Sequence, residues 1–142
     1  MFLGCCAKCE MYPCQIDFVM ACVQTNMKGR AFVTIPEHWK QLLPDELHKW
    51  VGRPLLLLKA LHGYTFSGKL LYEEQARFLR EYGMEPTPIV ALWKKQVGPD
   101  KILLVLQYSD DFLAASNDPE EREKFKMAIA KRFDVEIKPR AD

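Results

Sequence analysis

The feature of the sequence that most constrains the fold is a pair of apolar runs on either side of two adjacent aspartates. The runs cover residues 102–106 and 112–115, and residues 108–111 between them are Tyr-Ser-Asp-Asp. Apolar runs of this length with polar residues at both ends predict two buried strands. Because only a short segment separates the strands, we expect an antiparallel hairpin with residues 108–111 at its tip.

Two carboxylates, those of Asp110 and Asp111, lie at the tip of this predicted hairpin. A carboxylate beside an apolar element is stable only when it is solvated, paired or bound to a cation. One interpretation is an ordinary turn, in which Asp is common, and the hairpin by itself favours it. The alternative is a hard divalent cation such as Mg²⁺, which one or two carboxylates can hold together with the phosphates of a substrate.

Composition and charge narrow the class of protein. A length of 142 residues with 49% hydrophobic content predicts one domain, or part of one, with a hydrophobic core. The net charge of +1 is far from the basic field typical of nucleic-acid-binding domains, which counts modestly against a polynucleotide partner. No apolar run has the length of a membrane span, and the opening lacks the features of a signal peptide. We therefore expect a cytoplasmic protein with no membrane partner.

The cysteines are concentrated at the start of the chain, at Cys5, Cys6, Cys9, Cys14 and Cys22. Cys6 and Cys9 form one C-x-x-C pair, but neither a second pair nor a suitably spaced histidine completes a zinc site. Reduced thiols that bind no metal are the favoured interpretation in a reducing compartment, and a zinc module is the weaker alternative.

Local patterns predict an α+β fold, with helices packed on one face of a mainly antiparallel sheet. Residues 1–12 lack periodicity and are expected to form an irregular leader. Besides the hairpin, strands are predicted at residues 14–19, 31–35, 54–60 and 89–93, with a last one beginning at residue 134.

Capping residues mark two predicted helices. The first is expected between an N-cap at Ser67 and a stop at Gly83. The second is expected to begin with Asp118 as its N-cap and Pro119 at its first position, with Glu121 completing a capping box.

Asp17 is a carboxylate inside the otherwise apolar strand predicted at residues 14–19. Strands are poor in Asp, so one explanation is that Asp17 caps the turn at the end of the strand. An antiparallel sheet could also place Asp17 beside the tip that carries Asp110 and Asp111. Three carboxylates at one place could hold two metal ions that assist an in-line phosphoryl displacement.

Four segments together resemble a known family. QYSDDF at residues 107–112 resembles the Tyr-x-Asp-Asp box of reverse transcriptases, and QIDFVMACVQ at 15–24 resembles their earlier Asp-containing motif in the form seen in copia-type retrotransposons. FVTIPEHW at 32–39 and LKALHGYTFSGKLLYEE at 58–74 resemble two segments that lie between these motifs. The likeness runs in the family's order over most of the chain.

The resemblance implies RNA-templated DNA synthesis on a right-hand polymerase palm, a ferredoxin-like fold that is incomplete here and occupies residues 13–142. Asp17, Asp110 and Asp111 match the family's catalytic, metal-binding aspartates. Asp17 and Asp110 would bridge two Mg²⁺ ions, or Mn²⁺ in their place, and Asp111 would support the site. One ion would activate the primer 3′-hydroxyl and the other would bind the triphosphate.

The resemblance also implies roles beside the metals. The backbone N–H groups of Phe18 and Val19 match positions that lie against the triphosphate, and Tyr108 would lie near the primer terminus. Cys22 occupies the nucleotide-binding position where the family usually has an aromatic ring that excludes a ribose 2′-hydroxyl. The smaller Cys22 side chain predicts weaker rejection of ribonucleotides.

The implied partners are an RNA or DNA template with its primer, deoxynucleoside triphosphates, and the fingers, thumb and RNase H segments of a polyprotein. The implied location is the cytoplasm or a retroelement particle within it. Because these 142 residues lack the fingers segment before the palm and the thumb after it, we expect the fragment alone to be inactive. The alternative to a polymerase is an inactive retroelement relic or a small α+β interaction module.

Overall fold

The computed structural model describes residues 2–139 of the chain, and its main feature is one antiparallel sheet. In chain order the elements are helix α1 (Phe2–Lys8), strand β1 (Tyr12–Phe18), a 3-10 helix (Ala21–Gln24), β2 (Phe32–Thr34), two 3-10 helices (Glu37–Leu42 and Asp45–Trp50), β3 (Pro54–Leu56), α2 (Ser67–Glu81), β4 (Glu85–Pro86), β5 (Leu92–Gln96), β6 (Ile102–Tyr108), β7 (Asp111–Ser116), α3 (Pro119–Arg132) and β8 (Val135–Pro139).

The sheet has six strands in the order β4-β5-β6-β7-β1-β8, and every neighbouring pair is antiparallel. Its central part is connected as β1–α2–β6–β7–α3–β8, so that β1 lies between β7 and β8. Strands β2 and β3 form a separate two-stranded sheet between β1 and α2. The predicted α+β class with a mainly antiparallel sheet is confirmed.

The core lies between one face of the sheet and helices α2 and α3. Alternation along β1 points Cys14, Ile16 and Phe18 into this core, while Gln15 and Asp17 lie on the opposite face. Leu79 of α2 and Phe125 of α3 are fully buried in the same cluster. Burial of such side chains contributes roughly 1.5–3 kcal/mol each to folding.

The expectation that helices pack on one face only is wrong. Helix α1 buries Cys6 against Leu104 and Ala115, which lie on the face opposite α2 and α3. We call this face the second face. The same helix corrects the irregular leader predicted at residues 1–12, of which Met1 lies outside the described residues. Residues 2–8 form a helix because its buried side packs against the apolar second face of the sheet.

The caps of the two long helices differ in part from the prediction. Asp118 accepts a hydrogen bond from the Glu120 backbone N–H, with Pro119 at the first position, as expected. The predicted capping box does not form, because the Glu121 carboxylate instead accepts hydrogen bonds from Tyr82 and Lys95. Gly83, with φ of +85°, follows the end of α2 as predicted.

At the start of α2 the N-cap is Phe66, and the Ser67 hydroxyl donates to the Leu61 carbonyl rather than capping the helix. The strand predicted at residues 89–93 begins at Leu92, and the one predicted at residues 54–60 is only Pro54–Leu56. None of the helices among residues 2–139 is long and apolar enough to cross a membrane.

Candidate functional site at the tip of the β6–β7 hairpin

The tip of the hairpin is a two-residue turn. Tyr108 and Asp111 are the last paired residues of β6 and β7, so Ser109 and Asp110 form the turn itself. Ser109 has a φ of +45°, and Asp110 is not among the residues with positive φ. A positive φ at the first turn residue alone is the pattern of a type II′ turn, in which glycine is preferred. Ser109 therefore stores backbone strain at the tip, as residues of functional sites often do.

The structure places Asp17 beside this tip. Asp17 is the direct cross-strand partner of Asp111 in the β1–β7 ladder. The next residue, Phe18, donates its backbone N–H to the Asp110 carbonyl oxygen at 2.9 Å. The two segments that carry the predicted aspartates are far apart in sequence, and the sheet brings them to adjacent strands at the same end.

The side chains of Asp17 and Asp111 lie on the second face and have different partners. Lys138 of β8 lies with its Nζ 3.2 Å from Asp17 Oδ2. Gln15 donates to Asp111 Oδ1 at 3.3 Å. Two carboxylates directly opposite each other on neighbouring strands repel, so this end of the sheet favours a cation. Lys138 supplies one positive charge there.

The carboxylates suit a hard divalent cation in chemical type and in location. Mg²⁺ prefers carboxylate oxygens and keeps other positions for water and phosphate oxygens, which one or two aspartates can satisfy. Within residues 2–139, no three His, Cys, Asp or Glu side chains are arranged as a ready-made metal-binding group. The pairing of Asp17 with Asp111 thus offers two neighbouring oxygen ligands rather than a closed cage.

The backbone donors of β1 are already used inside the protein. Phe18 N–H is bonded to the Asp110 carbonyl, and Val19 N–H donates to the Asp134 carbonyl at 3.0 Å. The resemblance implied that both groups face a triphosphate, and the structure corrects that expectation. The chain turns away immediately afterwards, at Met20, which has a positive φ of 48°.

Cys22 is buried in the 3-10 helix that follows β1. It packs with Ala60 and Leu70 in a small apolar cluster. Burial raises the pKa of the Cys22 thiol above its usual value, and the negative charge of Asp110 raises this pKa further. The negative charge of Asp110 thus acts on the Cys22 thiol.

Tyr108 is strongly exposed, with 74% of its surface accessible. It borders a shallow depression on the second face, which is also lined by Gln15, Leu106, Asp111, Phe112 and Leu113. Helix α1 covers the second face further along β6 and β7, at Leu104 and Ala115. The depression therefore combines an apolar floor, an exposed phenol and a carboxylate.

Sequence patterns missed two groups of residues at the site. Lys138 contacts Asp17 only because β8 pairs with β1, a long-range contact with no local signal. Gln75 and Gln107 are fully buried and form hydrogen bonds behind the tip. Gln107 could have been noticed, because it is an amide at the end of an apolar strand, but nothing local marks Gln75.

The cysteines at the start of the chain form no metal cluster in the described residues, and the thiol of Cys5 lies outside them. Burial raises the pKa of the Cys14 thiol, which keeps it protonated.

Comparison with family models finds no match to the chain, and comparisons with curated proteins and with solved structures find no significant match.

Proposed function

We propose that this chain is the palm part of a copia-type retrotransposon reverse transcriptase, with Asp17, Asp110 and Asp111 as its metal-binding aspartates. The observation that carries the proposal is the pairing of Asp17 with Asp111 across β1 and β7. The two sequence segments that most resemble the family are thereby neighbours in space. An unrelated Asp-rich turn gives no reason for a second Asp to stand opposite it.

The topology supports the same proposal. The connectivity β1–α2–β6–β7–α3–β8 and the strand order β8-β1-β7-β6 are consistent with the split β-α-β arrangement of ferredoxin-like folds, which the resemblance implies for a palm. Strands β4 and β5 extend that sheet at one edge. The segment between β1 and α2 contains the small sheet of β2 and β3.

This intervening segment has the character of a surface for single-stranded nucleic acid. Trp39 and Trp50 are 51% and 41% exposed, so they are not core residues, and Lys49 lies over the Trp50 ring. Exposed aromatic rings with nearby basic groups are platforms on which bases stack. The small net charge of the whole chain conceals this local feature.

The roles of the chain's own residues follow from their positions. Asp17 and Asp110 would hold the cations at this end of β1 and β7, and Asp111, opposite Asp17, would support the site. When bound, the divalent ions supply charge stabilisation for transfer of a nucleotide to a primer 3′-hydroxyl. Tyr108 would contact the primer end, and the small Cys22 side chain would leave room beside the sugar for a ribose 2′-hydroxyl.

Under this proposal the partners are a template with its primer, deoxynucleoside triphosphates, and the fingers, thumb and RNase H segments. The cofactors are Mg²⁺ or Mn²⁺ ions, and the site of action is the cytoplasm or a retroelement particle. Phe18 and Val19 are not part of the proposed nucleotide site, because their N–H groups already have partners and the Phe18 ring lies in the core.

The second candidate function is an interaction module that keeps the fold without turnover. Two observations favour it: Lys138 already neutralises Asp17, and the N–H groups of Phe18 and Val19 are bonded within the protein. Such a module needs no metal at the tip.

Manganese binding separates the two candidates. We expect Mn²⁺ to broaden the NMR signals of Asp17, Asp110 and Asp111, and we expect Asp17→Asn and Asp110→Asn to abolish the effect while the fold is kept. Asp100→Asn is the matched control, because Asp100 is exposed in the turn at the other end of β6. Wild-type protein without Mn²⁺-dependent broadening at the tip would reject the polymerase proposal in favour of the module.

Primer extension tests the reaction itself. The chain, alone and fused to an upstream fingers segment of a copia-type enzyme, is incubated with Mg²⁺, deoxynucleoside triphosphates and a primed RNA template. We expect extension by the fusion only, and none by the same fusion carrying Asp110→Asn.

A further inference from the structure

A relay of buried hydrogen bonds lies behind the hairpin tip, on the face covered by α2. Trp93 of β5 donates its indole N–H to Gln107 Oε1 at 3.0 Å. Gln107 in turn donates to Gln75 Oε1 at 3.0 Å, and Gln75 donates to the Ser109 carbonyl at 3.1 Å. Gln107 also donates to the Tyr72 carbonyl of α2 at 3.1 Å.

Both amides are removed from solvent, because Gln75 and Gln107 are 0% and 2% exposed. A buried amide without partners costs about 1–3 kcal/mol, so each of these side chains is constrained to make its bonds. Two fully buried amides in a mostly apolar core are stable here because each has both donor and acceptor partners.

The chemistry of the two ends sets the direction of the relay. An indole can only donate, so the Gln107 oxygen must face Trp93 and its NH₂ group must face α2. Gln75 then presents its oxygen to Gln107 and its NH₂ group to the hairpin. The Ser109 carbonyl at the far end can only accept, which matches this direction.

We propose that Gln75 is a positioning residue, which holds the strained Ser109–Asp110 turn through the Ser109 carbonyl and takes its own orientation from Trp93 through Gln107. Ser109 is the residue with positive φ, and the next residue, Asp110, is bonded through its carbonyl to Phe18 of β1. The turn is thus tied to α2 on one side and to β1 on the other. The effect on a bound cation rests on the proposed function, whereas the effect on the turn does not.

The Phe18 amide reports on the position of the turn, because its N–H is bonded to the Asp110 carbonyl. Its hydrogen-exchange protection is measured by NMR relative to the amides of Val105 and Ala114 in the middle of the β6–β7 ladder. This ratio separates a local displacement of the turn from a general loss of stability, which affects all three amides.

The variant Gln75→Met keeps the size of the side chain and removes both amide groups. We expect the relative protection of Phe18 to fall about fivefold, as loss of one hydrogen bond requires. Ser67→Ala is the matched control, because Ser67 is a buried polar residue of the same helix whose hydroxyl bonds Leu61 and not the hairpin. It should leave the ratio unchanged.

The relay makes a second prediction through Trp93→Phe, which removes the orienting donor together with part of a buried ring system. For this variant Ala114 alone is the reference amide, because Val105 is the cross-strand partner of Trp93. This change in β5 should also lower the relative protection of Phe18. The double variant with Gln75→Met should show the same relative protection as Gln75→Met alone. An unchanged ratio in Gln75→Met, or fully additive effects in the double variant, would overturn the proposal. If Gln75→Met does not fold, an unchanged Phe18 protection ratio in Trp93→Phe is sufficient to overturn the proposal.

The consequence for the proposed metal site is measured separately. Mn²⁺ affinity at Asp17 and Asp110 should fall severalfold in Gln75→Met and remain unchanged in Ser67→Ala. If wild-type protein binds no Mn²⁺ while the exchange results hold, the proposed function fails and the positioning role stands. If wild-type protein binds Mn²⁺ and the exchange ratio does not respond, the positioning role fails alone.

Discussion

Lys138 and Asp17 form an ion pair across β8 and β1, with 3.2 Å between Nζ and Oδ2. The hydrogen bond that Lys138 donates to Asp17 raises the pKa of Lys138, so the lysine is charged throughout the neutral range. Glu136 lies 3.5 Å from the same ammonium group. A divalent cation that binds Asp17 must compete with this ammonium group.

Replacement of Lys138 should therefore strengthen cation binding. In Lys138→Met we expect Mn²⁺ affinity at the tip to rise about threefold, a modest gain because an exposed ion pair is weak. The measurement is a titration followed by paramagnetic broadening of Asp17 and Asp111. Lys124→Met, which removes an exposed lysine paired with Glu120, serves as the control. Equal affinity in wild type and Lys138→Met would show that the ion pair does not compete with the metal.

The strain at Ser109 predicts the effect of substitutions in the turn. Ser109→Gly should stabilise the fold by about 0.5–1 kcal/mol, because glycine tolerates a φ of +45° without a steric penalty. Ser109→Val should destabilise the fold by about 1–2 kcal/mol, because a β-branched side chain is strained in this region. Urea unfolding of both variants measures the two changes in the free energy of unfolding, which should have opposite signs. If Ser109→Gly destabilises the fold, Ser109 is not strained.

The buried hydroxyl of Tyr82 should make the stability of the fold depend on pH in the alkaline range. Burial, together with the hydrogen bond to Glu121, raises the pKa of Tyr82 well above its usual value. Above about pH 10 an unfolded tyrosine loses its proton while the folded one keeps it, so the unfolded state gains relative stability. We expect the free energy of unfolding to fall as pH rises above 10.

The Tyr82→Phe variant should show a smaller fall over the same range, because it removes that proton linkage. Urea unfolding at pH 8 and at several values above pH 10 gives the comparison. Tyr12→Phe is a suitable control, since Tyr12 is exposed. Parallel pH profiles for wild type and Tyr82→Phe would contradict the assignment.

The pKa of Cys22 should depend on the charge of Asp110. Because the Asp110 charge raises the pKa of Cys22, Asp110→Asn should lower that pKa, although burial should still hold it above its usual value. The Cys14 thiol is the internal control, because the charges that act on it come from Lys126, Arg122 and Glu123. The pH dependence of the Cβ carbon shifts of both cysteines tests this. If the Cys22 pKa is the same in wild type and Asp110→Asn, the charge of Asp110 does not act on Cys22.

Much of the fold follows from local patterns. The apolar runs around residues 108–111 predicted β6 and β7, since alternation and strand length are properties of short segments. The helix from Pro119 was predicted from its cap, because Asp118 bonds a donor only two residues away. Pro44 separates the two 3-10 helices, because proline cannot continue a helix from its interior.

The errors share a physical cause. Glu121 carries the signature of a capping box, but Tyr82 and Lys95 are brought to it by other elements and offer stronger partners than the helix end. Residues of the leader lack a periodic pattern, yet α1 forms because Leu104 and Ala115 leave an apolar surface open on the second face. Tertiary packing can override weak local preference in this way.

The sequence by itself determined that a hairpin carries Asp110 and Asp111 and that another strand carries Asp17. Only the tertiary structure decided that β1 pairs with β7 in the register that sets Asp17 opposite Asp111, with Lys138 alongside. It also decided that Gln75 reaches the turn from α2. Strand order and register depend on contacts between residues far apart in the chain, and the free energy of those contacts is not contained in any local pattern.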